Sequence, residues 1–443
     1  MKKHTAKKSL KTSRAGAAGA VRDADQYLMR TYRRPDVVFT RGSGCYLYDS
    51  KGKRYLDFLG GIAVNALGYS HPRLVRVIQR EAKRAVHLSN LFHNPFQGPL
   101  AKKLAEWSGL DRVFFTNSGT EAIEGALKLA RAYAKKNATP GSLPKTGILA
   151  LENSFHGRTF GAVSITYPAK YREPFEPLVP GAKFVRFNDV ADLEKKFDAE
   201  VGAIVIETIQ GEGGVSTVSE DFWNSARELT TKHTAALIAD EIQCGLGRTG
   251  RKFAYQKFDG KPDIVTVAKP LAGGLPLGAV IAHEKFAEAF TPGIHGTTFG
   301  GGPLICAVAL EFLNTIEDEK LLDNVRERGA ELKDGLEKLK GRFDFIGEVR
   351  GEGLILGLNL SIEGAAIVEE ALRQGLIINC THEHILRFLP PFVIRTQHVR
   401  EFLSTLGKVL AKAPRNAWED AKQAHDAPRI EETAGARAQA AVR

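Results

Sequence analysis

Residues 235–278 read AALIADEIQCGLGRTGRKFAYQKFDGKPDIVTVAKPLAGGLPLG. Two short apolar runs stand out, AALIAD ending at Asp240 and DIVTVA leading into Lys269. Runs of this length without polar alternation fit strands buried on both faces. The pattern recurs outward in RVFFT (112–116), GILAL (147–151) and VGAIVIE (201–207), with amphipathic helical stretches between. Such alternation predicts an α/β fold, a mainly parallel sheet covered by helices on both faces, forming a large domain over 86–309. Upstream, GSGCYLYDSKGKRYLDFLGG (42–61) predicts a hairpin with a Ser-Lys-Gly turn. Downstream, a charged helix, VRGEGLILGLNL (349–360) and a last helix predict a smaller α+β part. The flanks 23–85 and 310–413 are expected to form that second domain, and 443 residues suit about two cores.

The four cysteines, Cys45, Cys244, Cys306 and Cys380, lie far apart and form no CxxC pair. That argues against a disulfide framework and a zinc site, and fits a reducing, cytoplasmic setting. No apolar run reaches the roughly 18–20 residues that a membrane span requires. The formal charge is +11, but residues 1–22 carry seven Lys and Arg and no acid. Most of the excess therefore belongs to an Ala- and Gly-rich head, expected to be a basic disordered arm. Its composition also leaves organelle import open. Nucleic-acid binding through this arm is the rival, non-enzymatic reading; such binding would collapse with salt. The polar stretch 414–443 is expected to be a tail.

Ligands of open α/β sheets bind beyond the carboxyl ends of the strands. Asp240 and Lys269 fall there. A lysine is costly to bury, and a desolvated one has a lowered pKa that makes it an amine nucleophile toward an aldehyde. A carboxylate such as Asp240 would hold the protonated ring nitrogen of pyridoxal phosphate and keep that ring an electron sink. Asp240 and Ile242 project to one side of an extended strand end, so Ile242 would cover a ring face. Taken singly, either charged residue fits an ordinary surface ion pair. In RVFFTNSGTEAIEGALKLARAYAKK (112–136), Ser118, Gly119 and Thr120 open a long helix, where free N–H groups and the dipole favour an anion such as the cofactor phosphate. A plain helix cap looks the same, and the two roles are compatible.

Two further patterns carry less. Gly245, Gly247 and Gly250 spell GxGxxG, but RKFAYQKFDGKPD follows where a dinucleotide site needs a long helix. His382 and His384 could share a strand face as metal ligands, yet no third ligand has a sensible spacing, and no metal is expected.

Taken together with FLGGIAVNALGYSHP (58–72), HLSNLF (87–92), DRVFFTNSGTEA (111–122), SFHGRTFGAVSIT (154–166), VIETIQGEGG (205–214), HGTTFGGGPL (295–304) and RFLPPFVI (387–394), the chain resembles the class III, fold-type I aminotransferases. The likeness runs from about Val38 to Leu410. It implies a pyridoxal-phosphate enzyme in which Lys269 binds the cofactor and Asp240 meets its ring nitrogen. It also implies Phe155 stacked opposite Ile242, with Gly119 and Thr120 on the phosphate. Glu241 would also contact the cofactor, Gln243 would contact the ring hydroxyl, and Thr298 would reach the phosphate of a partner subunit in a homodimer. Arg158, with Thr297 nearby, would take a substrate carboxylate. Glu207 and Arg387 would form a pair that opens for one substrate and closes for the other. The chain departs from the family pattern at Gly302, Ala272 and Ile123.

The reaction implied moves the δ-amino group of N2-acetyl-L-ornithine to 2-oxoglutarate, giving N-acetylglutamate 5-semialdehyde and glutamate, a step of arginine biosynthesis. Ornithine, 4-aminobutyrate and succinyl-diaminopimelate remain alternative donors.

Overall fold

The computed structural model describes residues 14–413. Its centre is a seven-stranded sheet: β1 (Arg112–Thr116), β2 (Gly147–Leu151), β3 (Ala182–Val185), β4 (Val201–Glu207), β5 (Ala236–Asp240), β6 (Ile264–Val267) and β7 (Gly278–Ala282). They lie in the order β1-β7-β6-β5-β4-β2-β3. Only β7 runs against its neighbours; the pairs β6–β5, β5–β4, β4–β2 and β2–β3 are parallel.

The continuous apolar runs have a direct physical reason. Every residue of β2, β4, β5, β6 and β7 is buried. Side chains of a strand alternate between faces, and here the alternation feeds two cores. Ile148, Ala150, Ala203, Val205, Ala236, Ile238 and Ile264 pack with Ala122, Ile123 and Ala126 of the helix Gly119–Lys136. Leu149, Ile204, Ile206, Leu237, Ala239 and Val265 pack on the opposite side with Phe222, Trp223 and Phe253. The large, mainly parallel sheet expected from the sequence is therefore present.

The second part draws on both ends of the chain. Tyr46–Asp49 and Arg54–Asp57 form the expected hairpin, with Gly52 at φ +83° in its turn. Phe39–Ser43 adds to one edge, and Leu376–Ile377 joins Arg54–Asp57 in parallel. A separate antiparallel sheet holds Ile346–Glu352, Ile355–Leu360, Ile385–Phe388 and Asn379–Thr381. Two expected boundaries fall inside helices. Arg14–Tyr27 is one helix, so the arm assigned to 1–22 is helical from Arg14 onward. Its Ala-rich sequence, RAGAAGAVRDADQY, explains this, since alanine has the highest helix propensity. The helix Pro303–Asp318 likewise spans the boundary at 309/310. The rest of the expected arm, residues 1–13, and the tail 414–443 lie outside the described residues. Among the described residues, no helix is long and apolar enough to cross a membrane.

The sheet fixes the site through close backbone contact. A Cβ on Gly278, the first residue of β7, would lie 2.5 Å from the Ser118 carbonyl oxygen and 2.5 Å from Thr116 Oγ1. Glycine there lets the turn before the helix Gly119–Lys136 settle on the sheet edge. Gly278→Ala is expected to lower stability by about 1–3 kcal/mol through overpacking, read as a shift in the urea midpoint. An unchanged midpoint would mean that the turn is not held by this contact.

Candidate active site

The carboxyl ends of β4, β5 and β6 open into a cavity of about 460 Å³, lined by Asn117, Ser118, Gly119, Thr120, Phe155, His156, Arg158, Glu207, Glu212, Asp240, Ile242, Gln243 and Lys269 among others. Segments far apart in sequence meet here because parallel strands deliver all their C-terminal loops to one edge.

Asp240 ends β5 and is buried. Its Oδ2 lies 2.7 Å from His156 Nδ1, and its Oδ1 accepts from Ile242 N at 3.1 Å and Thr266 Oγ1 at 3.4 Å. His156 is itself positioned by its N–H, donated to Thr166 Oγ1 at 3.0 Å. Its Nε2 is buried without a partner.

Lys269 follows β6 by two residues and has a φ of +23°, a left-handed conformation unusual for a residue with a side chain. Its amine makes no hydrogen bond or ion pair among the described residues. Burial lowers its pKa, and the attraction of Asp240 and Glu212 only partly opposes that. An amine in this state is more often neutral, and so nucleophilic, than a surface lysine.

Ser118 caps the helix Gly119–Lys136 by accepting from Glu121 N at 3.3 Å. Gly119 packs close to Ile242, since a Cβ there would sit 2.9 Å from Ile242 Cγ2. Thr120 Oγ1 accepts from the N–H groups of Arg158 and Thr159 at 3.2 and 3.3 Å. The helix N-terminus is thus joined to the loop carrying Phe155 and Arg158. Arg158 is exposed, with its guanidinium 3.8 Å from the Tyr171 ring centroid and 5.4 Å from that of Phe155.

Three expectations need correction. Arg387 pairs with Glu212, not with Glu207. Its Nη1 donates to Glu212 Oε1 at 2.6 Å, to the Gly211 carbonyl at 2.7 Å and to Gln243 Oε1 at 3.0 Å. Glu207 is tied up by backbone, accepting from Phe155 N at 2.8 Å and Gly211 N at 3.1 Å. Glu241 does not line the cavity: alternation turns it away from Asp240, and it accepts from Thr208 Oγ1, Ala254 N and Tyr255 N. His382 and His384 lie in the turn between Asn379–Thr381 and Ile385–Phe388 rather than on one strand face. His384 Nδ1 is 3.0 Å from the Ile362 carbonyl.

Thr297 lies beside the cavity, its Oγ1 accepting from Asn117 Nδ2 at 3.2 Å, and Thr298 is exposed. The Gly245–Gly250 run is followed by a single 3₁₀ turn, Ala254–Lys257, so no helix for a dinucleotide phosphate is formed. His156 and Glu212 join the site beyond the expected residues, and both lie in motifs that carry the family likeness, SFHGRT and ETIQGE.

The carboxylates are not equivalent. Burial raises Glu207 to about 7 and Glu241 to about 7. Burial also acts against ionised Glu212, but Arg387 outweighs it and keeps that carboxyl below its usual range.

These residues fit pyridoxal phosphate. The helix N-terminus offers N–H groups to a phosphate, Asp240 faces the cavity as a carboxylate for a ring nitrogen, and Phe155 and Ile242 supply apolar walls. Lys269 supplies a primary amine.

Burial disfavours the His156 cation, yet the hydrogen bond and charge of Asp240 overcome this and its pKa is raised. A raised folded pKa adds stability that is complete below the unfolded value of about 6.5 and is lost as pH rises through the folded value. In the cofactor-free protein, stability to urea should therefore fall more steeply above pH ~6.5 in the wild type than in His156→Asn. Parallel pH profiles would remove the charged pair from the account.

The aminotransferase class-III family model matches residues 27–410. The acetylornithine aminotransferase of Aquifex aeolicus (strain VF5) is 46% identical, over 87% of this chain and 100% of the relative. That of Methanocaldococcus jannaschii is 44% identical, over 87% of this chain and 96% of the relative. Among solved structures, the ornithine aminotransferase of Toxoplasma gondii ME49 superposes with a TM-score of 0.85 at 35% identity, covering 89% of this chain and 95% of that one. A second Toxoplasma gondii structure, 34% identical with a TM-score of 0.84 over 91% of this chain and 96% of that one, is described with partial occupancy of PLP at its active site. With an amine-bearing strand end, a buried carboxylate and a helix N-terminus around one cavity, and with this match along most of its length, the chain belongs to the class III aminotransferases, which use pyridoxal phosphate.

Proposed function

We propose that the protein transfers the δ-amino group of N2-acetyl-L-ornithine to 2-oxoglutarate, and that it works as a homodimer. The observation that carries the reaction type is the unpartnered, pKa-depressed Lys269 amine in the same cavity as Asp240. The choice of donor is supported by relatives such as those of Aquifex and Methanocaldococcus, whose names specify acetylornithine.

Pyridoxal phosphate, when bound, supplies an aldehyde for the amine and a ring that stabilises negative charge on the neighbouring carbon. The protein supplies the rest. Asp240, held by His156, keeps negative charge at the ring-nitrogen end. Ser118, Gly119 and Thr120 hold the phosphate, while Phe155 and Ile242 confine the ring. Gln243, engaged by Arg387, borders the same space. Lys269 takes a proton from the carbon bearing the reacting amine, and in the second half-reaction returns one to C2 of the forming glutamate. Arg158 holds the donor α-carboxylate from the cavity mouth, with Thr297 behind Asn117. An N-acetyl group removes the α-ammonium charge, so the donor end near the entrance needs only ordinary hydrogen bonds.

The two substrates differ in one carboxylate. Glutamate carries its α-carboxylate on the carbon that bears the reacting amine, where the donor's Cδ carries only hydrogen. Glu212 neutralises Arg387 for the donor and yields it to glutamate, because an unpaired buried guanidinium would be costly.

The dimer reading rests on an exposed apolar surface beside Thr298. Val86, Leu91, Phe92 and Phe299 are 61%, 86%, 68% and 63% exposed. Asn90 ties this segment to the threonine loop through the carbonyls of Thr297 and Gly300. A clustered apolar surface of this kind marks an interface, and a second copy seated on it would receive Thr298.

Lys269→Ala should abolish multiple turnover, and borohydride should fix the cofactor on Lys269 in the wild type. In a donor panel with 2-oxoglutarate, kcat/KM should be highest for N2-acetyl-L-ornithine. A clear lead for ornithine or 4-aminobutyrate would overturn the donor and leave the reaction type standing.

Thr298→Ala should weaken cofactor affinity by about ten- to hundredfold, the worth of one charge-assisted hydrogen bond. Mixed dimers of Thr298→Ala with Lys269→Ala should contain one intact site and one doubly damaged site. A fully active monomer in light scattering would contradict the shared-site dimer.

A further inference from the structure

β4 ends at Glu207, level with Asp240 on β5. The Glu207 side chain is buried and spends both oxygens on backbone: Oε1 on Phe155 N at 2.8 Å and Oε2 on Gly211 N at 3.1 Å. Each peptide leads somewhere. Phe155 forms a wall of the cavity. The Gly211 carbonyl accepts from Arg387 Nη1 at 2.7 Å, and the next residue, Glu212, takes the same Nη1 at 2.6 Å. One carboxylate therefore fastens both the apolar wall and the turn that presents two of the acceptors for the arginine.

That turn has little slack. A Cβ on Gly211 would lie 2.1 Å from Gln243 Oε1, and one on Gly213 would lie 2.6 Å from both the Asn153 carbonyl oxygen and Gln210 Oε1. In so tight a turn, a small displacement of the Gly211 peptide moves the Glu212 carboxylate and the Gly211 carbonyl together. The hydrogen bonds that prevent it both end on the one buried Glu207 side chain, so the two peptides are held together.

We propose that Glu207 is a positioning residue for substrate discrimination: by holding the Gly211 peptide it keeps Glu212 on Arg387, and by holding the Phe155 peptide it ties that arrangement to the cofactor wall. Glu207 acts on the substrate only through Arg387 and touches no substrate atom itself. Loosening it releases Glu212 and makes Arg387 more available to a second carboxylate. A residue that merely kept the site folded would, on removal, weaken every ligand.

The inference rests on the two-substrate reading of Arg387, and one experiment separates the two. Glutarate, a dicarboxylate with no reacting amine or oxo group, is titrated into the holoenzyme by calorimetry. If Arg387→Ala binds glutarate as well as the wild type does, the reading of Arg387 fails whatever Glu207 does. With that control passed, the Glu207→Gln variant is decisive, because an amide has one acceptor oxygen and must turn an N–H toward one of the two peptides. It should bind glutarate about three- to tenfold tighter, the range expected when coupling of roughly 0.6–1.4 kcal/mol is lost. Its single-turnover rate with the amine donor should fall relative to that with glutamate. Glu212→Gln should shift glutarate binding in the same direction, and the double variant should bind no tighter than Glu212→Gln alone. Glu207→Asp keeps the carboxyl group but draws it back from both peptides; it should show the same sign, and it replaces the Gln variant if that does not fold. Unchanged or weaker glutarate binding, or full additivity with Glu212→Gln, would overturn the proposal.

Discussion

A carboxylate held out of water at the end of the central strand organises this molecule. Asp240 is 3% exposed, and an ion so placed costs several kcal/mol unless it is compensated. The compensation comes from His156, the Ile242 peptide and Thr266, and each partner does a second job. Fixing His156 also fixes its neighbours Phe155 and Arg158. Fixing the Ile242 peptide lays that side chain against Gly119. Thr266 lies on β6, one residue before the end of the strand that leads to Lys269. Satisfying one buried charge thus sets two walls of the cavity and the strand that leads to the Lys269 amine.

Strain is concentrated at the same place. Lys269 sits at φ +23°, a conformation that costs on the order of 1–3 kcal/mol for a residue with a side chain. It also leaves an ammonium in surroundings that disfavour its charge. A surface lysine would incur neither cost. The large sheet absorbs both because its strands are buried on two faces, and β7, running backward beside β6, anchors the following turn. The stability of the two cores is what allows an energetically poor residue at the rim.

The legible features of the sequence were those with local causes. The buried strands showed as apolar runs because both their faces are covered, and Asp240 and Lys269 showed as charges closing such runs. The helix N-terminus at Ser118 showed through its cap. What escaped depended on distant contacts. His156 lines the cavity and is bound there by Asp240, 84 positions away. Glu207 and Glu212 stand five apart in ETIQGE, and nothing local says which carboxylate turns toward Arg387. The strand end decides it: Glu207 lies at the sheet edge within reach of two peptide N–H groups, while Glu212 lies beyond the turn and reaches the arginine. Glu241 could have been excluded by the twofold alternation that paired Asp240 with Ile242. The helix across residue 22 escaped because the absence of acids drew attention to charge, whereas alanine content governs helicity.

Under the proposed function, the arginine is what lets one site serve two substrates. Nη1 of Arg387 serves three acceptors, and Nε donates to Asn379 Oδ1 at 3.3 Å, while Nη2 is buried with no partner. A guanidinium presents five N–H donors in a rigid fork suited to bidentate carboxylate binding. With Glu212 engaged at one nitrogen only, the fork is neutralised but not saturated. In that proposed mechanism, a donor whose reacting carbon carries no carboxylate leaves the pair as it stands. A second carboxylate can offer two oxygens in place of one, using the idle Nη2 and displacing Glu212 toward solvent, to which it is already one-third exposed. Both states keep the charge compensated, so neither substrate leaves the buried cation alone. On that proposal discrimination depends on a small difference between two nearly balanced pairings, which is how the hydrogen bonds that hold the Gly211 peptide gain leverage on it.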